Sequence, residues 1–221
     1  MRSQRLRSTR PVVIGFLLGL LLGVPSAASA HNAGVWYPLE WPADRTYSIG
    51  FLHSYLRSSG AVTQIQAGPA PWNAISGNWF DMTRGTDDST VTWTGDPCST
   101  APSNAIWVTS RSLPAGTLGV ESTCGTSTSI SRSVVSFDDD FSTSWYFGSS
   151  STVPAGEHDF RSVAVHEFGH ATGFSGHWTS TDASTNCSTT ARHTMCPSVQ
   201  TGTSYWRTLE YHDIHVIEAA Y

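Results

Sequence analysis

The chain has 221 residues, with twelve arginines, no lysine and seventeen acidic residues, giving a formal net charge of −5. That acidic balance speaks against nucleic acid as a partner, because phosphates are neutralised by clustered basic side chains. The length suits one domain with a proper core and is short for two.

The first thirty residues differ from the rest. Arg2, Arg5, Arg7 and Arg10 give a basic start, Pro11 to Val24 is apolar, and Ala28-Ser29-Ala30 offers a small-residue cleavage site before His31. These are the three parts of a secretory signal. The apolar run covers fourteen positions, against about twenty for a membrane-spanning helix. The expectation is a signal peptide over residues 1–30 and a secreted, extracellular, monomeric domain over residues 31–221, with no membrane contact after cleavage. Cleavage removes four arginines and no acid, which takes the net charge to −9.

After Arg45, the residues Tyr47, Ile49 and Phe51 alternate with a period of two, which predicts a strand. A helix is predicted next, with Pro69 and Pro71 in a tolerant first turn and Trp72, Ile75 and Trp79 at spacings of three and four. From Phe80 to Tyr146 the runs Val91 with Trp93, Ala105 to Val108 and Val134 to Phe137 are separated by Gly, Pro, Asp and Ser clusters, and they predict the sheet. Gly148 to Gly156 reads as an exposed loop. Asp159 is placed to cap a helix starting near Phe160, and Gly173 to end it in the left-handed conformation. Between Gly173 and Tyr205 there is almost no apolar periodicity, so order there calls for a disulfide or a metal. A last helix is predicted from about Leu209 to the end, with Leu209, Ile214, Ile217 and Ala220 on one stripe.

Cys98, Cys124, Cys187 and Cys196 belong to a chain bound for an oxidising compartment, which favours disulfides. Three pairings are possible. Cys98 with Cys124 and Cys187 with Cys196 are favoured because each closes a local loop, worth roughly 3 kcal/mol in the chain-entropy model. None has the close Cys-x-x-Cys spacing of a structural zinc site.

His166, Glu167 and His170 form a His-Glu-x-x-His pattern. On a helix the spacing of four sets two imidazoles side by side, with the glutamate adjacent. A catalytic zinc takes three protein ligands and leaves one position open for water. Gly173 turns the chain, so His177 in the returning segment is the candidate third ligand, with Asp182 and His193 as the alternatives.

The run HEFGHATGF resembles the metzincin zinc motif, most of all in its matrixin form, where two helical histidines, a turn glycine and a third histidine bind the metal. In that pattern the third histidine falls three residues after the glycine; here Gly176 stands there and His177 follows. Thr194-Met195-Cys196-Pro197 resembles the Met-turn, in which a methionine packs beneath the zinc site. Pro197 resembles the wall of the pocket that receives the substrate side chain after the scissile bond, and Val199 stands where the family usually has tyrosine. Asp159 to Ala164, Val134 to Asp140 and Asp213-Ile214 are also similar to matrixin segments.

The resemblance implies an α+β metzincin-like domain, a mixed sheet of about five strands with three helices. It implies a secreted zinc-dependent endopeptidase acting on proteins or peptides, with Zn2+ held by His166, His170 and His177 and Glu167 as general base. The alternative is a secreted, non-catalytic zinc-binding or adhesion module on the same fold. Asp138, Asp139 and Asp140 could help bind a structural Ca2+, against the simpler reading of a solvated acidic turn. His53, His158, His212 and His215 fit surface or core positions better than ligand positions.

Overall fold

Strands β1 (Arg45–Ile49), β2 (Met82–Arg84), β3 (Ala105–Arg111), β4 (Gly119–Gly125) and β5 (Ile130–Asp138) form one mixed sheet in the order β2-β1-β3-β5-β4. The first four in that order are parallel, and β4 runs antiparallel to β5 at the edge. Two short strands, β6 (Trp145–Tyr146) and β7 (His158–Asp159), make a separate parallel pair. The computed structural model describes residues 40–221 apart from 59, 78–79, 94, 127–128, 141, 175, 179–186 and 188–192. The expected signal segment, Trp79 and Asp182 lie outside the described residues. No helix among the described residues is long and apolar enough to cross a membrane.

Parallel strands covered on both faces read as apolar runs, and Ala105–Val108 of β3 and Val134, Val135 and Phe137 of β5 supply them. Along β5 the pleat sends Val135 and Phe137 into the main core, where the Phe137 ring lies 4.7 Å from that of Phe160. Val134 points to the other face and packs with Trp107 and Ala101. Val91 and Trp93, expected to be a strand, have no regular structure and cover that second face instead. Phe51, expected to be the third inward residue of the first strand, lies beyond the end of β1 and is 39% exposed. Its backbone N–H donates to the Val91 carbonyl while its carbonyl accepts from the Ser110 N–H of β3, a one-residue shift after the Gly50–Val108 bond that ends the regular register.

Six α-helical segments occur among the described residues: α1 (Ser54–Ser58), α2 (Ala61–Ala67), α3 (Ala70–Asn73), α4 (Pro97–Thr100), α5 (Phe160–Ala171) and α6 (Tyr211–Ala220). The α+β class and the mixed five-strand sheet agree with expectation, whereas three helices was too few. Three of the six have only four or five residues, too few to repeat an apolar period. The helix expected from Pro69 to Trp79 is confined to Ala70–Asn73.

α5 runs through the interior with ten of its twelve residues buried. A helix buried all round lacks a polar face, so its apolar stripe is weakly marked in the sequence. Asp159 is its N-cap and accepts from the Ser162 N–H at 3.0 Å. Arg207 grips the same carboxylate through Nε at 2.8 Å and Nη2 at 2.6 Å. At the other end Gly173 takes φ 110°, the left-handed cap that glycine permits. The Trp41 indole and the Tyr221 phenol donate to the Ala171 and Thr172 carbonyls, each at 2.7 Å, and so satisfy terminal acceptors of α5. Both favoured disulfides are present: Cys98–Cys124 joins α4 to β4, and Cys187–Cys196 closes the loop beyond α5.

Candidate metal centre

His166 and His170 stand one turn apart on α5, and His177 returns to them after the Gly173 turn. Their Nε2 atoms form a nearly equilateral triangle: 3.1 Å from His166 to His177, 3.1 Å from His170 to His166, and 3.3 Å from His170 to His177. Tetrahedral ligands at a zinc–nitrogen distance of about 2.0–2.1 Å lie about 3.3 Å apart, so the triangle has the size that a small cation requires.

The outer ring nitrogens settle which atom faces inward. His166 Nδ1 lies 2.6 Å from the Thr194 carbonyl and His170 Nδ1 lies 2.6 Å from the Phe174 carbonyl. A carbonyl only accepts, so both Nδ1 atoms carry the proton and both Nε2 atoms offer lone pairs to the centre. Lone pairs facing one another at 3.1 Å need a cation between them. Burial makes a proton a poor one. It pushes the His170 imidazole down to about 4, and it depresses His166 well below its ordinary value, helped by the neighbouring His170. The three histidines are thus a group that could hold a metal ion.

His177 is held from behind. The Trp178 N–H donates to the Met195 carbonyl at 2.9 Å, and the Trp178 indole donates to Asp213 Oδ1 at 2.8 Å. Asp213, fully buried in the first turn of α6, also accepts from the Thr194 N–H at 3.0 Å and the Glu210 N–H at 3.1 Å. One carboxylate therefore ties the His177 segment, the carbonyl that orients His166, and α6. Met195 is fully buried, and a Cβ placed on Gly169 would come within 2.5 Å of its sulfur, so this methionine packs directly beneath the helix turn that carries His170.

Glu167 is 4% exposed, and its Oε2 has no hydrogen-bond partner among the described residues. Burial raises its carboxyl well above the usual range, and the Glu121 charge adds to the effect. Burial also lifts Glu121, to about 7, against the opposing hydrogen bonds of Ser133 and Thr123. An open cleft of about 270 Å³ runs past this centre, lined by Leu118, Glu167, His177, Pro197, Val199 and Trp206 among others. Trp206 stacks over His166, with ring centroids 4.8 Å apart and planes 17° from parallel.

No family model and no curated protein matches this chain.

Of the sequence-derived candidates, His166, Glu167, His170 and His177 are brought together. His193, the alternative imidazole, lies outside the nitrogen triangle, its ring 5.5 Å from that of His212. Asp138 accepts from the Leu113 N–H and the Thr143 hydroxyl, and Asp139 from the Ser110 hydroxyl, so the chain's own donors serve these acids. Sequence reasoning missed Glu121, Trp206 and the clamp made by Asp213. For Asp213 a local signal existed, since Glu210 and Asp213 form a capping box at the start of α6.

Proposed function

We propose that the protein is a secreted, zinc-dependent endopeptidase of the metzincin, matrixin-like kind. The observation that supports this most is the convergence of three Nε2 atoms next to a buried glutamate with an unpartnered oxygen, at the floor of an open cleft. Three neutral imidazoles with one position left over favour zinc in its catalytic form, whereas a structural site fills all four positions. Zinc bound by these three histidines would supply Lewis acidity, to lower the pKa of a water and polarise the carbonyl to be attacked.

Each remaining part of the chemistry belongs to this chain. Glu167 accepts the proton of the attacking water on its carboxylate and passes it to the departing amine. Burial suits it to that task, because a carboxylate kept from solvent is a stronger base. Thr194 and Phe174 hold two imidazoles in the tautomer that ligates. The cleft is open, which fits a segment of polypeptide passing through. Pro197, Val199 and Trp206 shape the wall that meets the residue after the scissile bond.

Casein digestion by the purified protein is the test. A strong chelator should abolish it and added zinc should restore it. Glu167→Gln should keep the metal and lose turnover by about a thousandfold, within the usual range for a general base. Zinc binding without turnover in the wild type would reject the protease and leave a zinc-binding module.

A further inference from the structure

We infer that Glu121 selects a cationic side chain, arginine or lysine, at the substrate residue before the scissile bond. This rests on the proteolytic reading above.

The geometry of β4 carries the inference. A Cβ built on Gly119 would stand 2.6 Å from Glu167 Oε1, so that face of β4 looks onto the turn of α5 that carries the glutamate. Side chains two apart on a strand share a face, which places Glu121 on the same side, opposite Val135 of β5. Its Oε1 is held by two hydroxyls: Thr123 donates at 2.7 Å, and the fully buried Ser133 donates at 2.6 Å. A carboxylate fixed in this way has a set direction.

Glu121 lines a cavity of about 210 Å³ with Gly119, Val120, Glu167, His170 and His177. This cavity meets the Pro197 cleft at Gly119, Glu167 and His177 and then diverges from it along β4. If the Pro197 cleft takes the residue after the bond, the Glu121 cavity takes the one before. Its described lining has two carboxyl groups and no arginine. The imidazoles serve the metal and Glu167 serves the proton transfer, which leaves Glu121 as the one acid with no role inside the site. Its Oε1 has only neutral hydroxyl partners, and a guanidinium or ammonium entering from the substrate would add the charged partner that the lining lacks, through charge-assisted hydrogen bonds. Glu167 borders the same space.

The test uses the zinc-loaded protein and peptides that differ only in the residue before the cleaved bond. Arginine should exceed its uncharged isostere citrulline by tenfold or more in kcat/KM, with glutamate the poorest. Glu121→Gln should bring the arginine-to-citrulline ratio close to one. An unchanged ratio in that variant overturns the inference. If the variant does not fold, the wild type alone decides, since equal rates for arginine and citrulline overturn it as well. Calorimetry on zinc-loaded Glu167→Gln separates the two ideas. Tighter binding of the arginine peptide without turnover in the wild type rejects proteolysis and retains the charge-selective pocket. Turnover without charge preference does the reverse.

Discussion

His166 and His170 reach the centre from consecutive turns of a helix buried in the core, whereas His177 reaches it from an exposed position in a segment without regular structure. The first pair is set by the helical repeat and cannot separate unless α5 unwinds. The third imidazole depends on contacts that arrive from elsewhere: the Cys187–Cys196 bridge, the Met195 carbonyl and the Asp213 carboxylate. Damage on the α5 side should therefore unfold the domain, and damage on the loop side should cost metal affinity first.

The largest effect is expected at Asp159. Asp159→Ala removes the cap of α5 and strands Arg207, and breaking a buried pair costs about 3–5 kcal/mol; chemical denaturation should show that loss, with metal release following unfolding. The loop side comes next. Replacing Cys187 and Cys196 together by serine gives up roughly 3 kcal/mol of loop constraint, and competition with a chelator should show metal affinity falling by up to about a hundredfold. Removing Cys98 and Cys124 in the same way should leave metal affinity unchanged, and a fall there would erase the contrast between the two regions. Asp213→Asn turns an acceptor into a donor facing the Trp178 indole or the Thr194 N–H, and metal affinity should drop by about ten- to a hundredfold, as when the hydrogen-bond partners behind a ligand are lost. The smallest effect is expected at Gly119. Gly119→Ala pushes a methyl group against Glu167, and kcat on casein should fall by about tenfold while bound zinc stays the same, a ratio read from turnover and metal analysis together.

The same division separates what could be read in the sequence from what could not. His166, Glu167 and His170 were legible because a spacing of four means adjacency once a helix is granted. β3 and β5 were legible as apolar runs. His177 was only one candidate among three, because the path of a polar loop leaves no periodic trace. β4 escaped notice because its residues are Gly, Ser, Thr and Glu with one valine and one cysteine, five of the seven only half-buried. An edge strand facing a groove has no need of an apolar face. Asp213 acts 36 positions beyond His177 and 19 beyond Thr194, and only tertiary contact brings it there. Phe51 was misread because alternation continues in the sequence after the regular register of β1 has ended in space.

The reach of Asp213 also sets an order in time. The helical pair can form as soon as α5 does, yet the third ligand stays unanchored until the first turn of α6 has docked. A chain emerging from its N-terminal end would then complete the three-histidine group last. Rapid-mixing refolding should show zinc uptake keeping pace with the closure of α6, after the helical signal of α5 has already appeared.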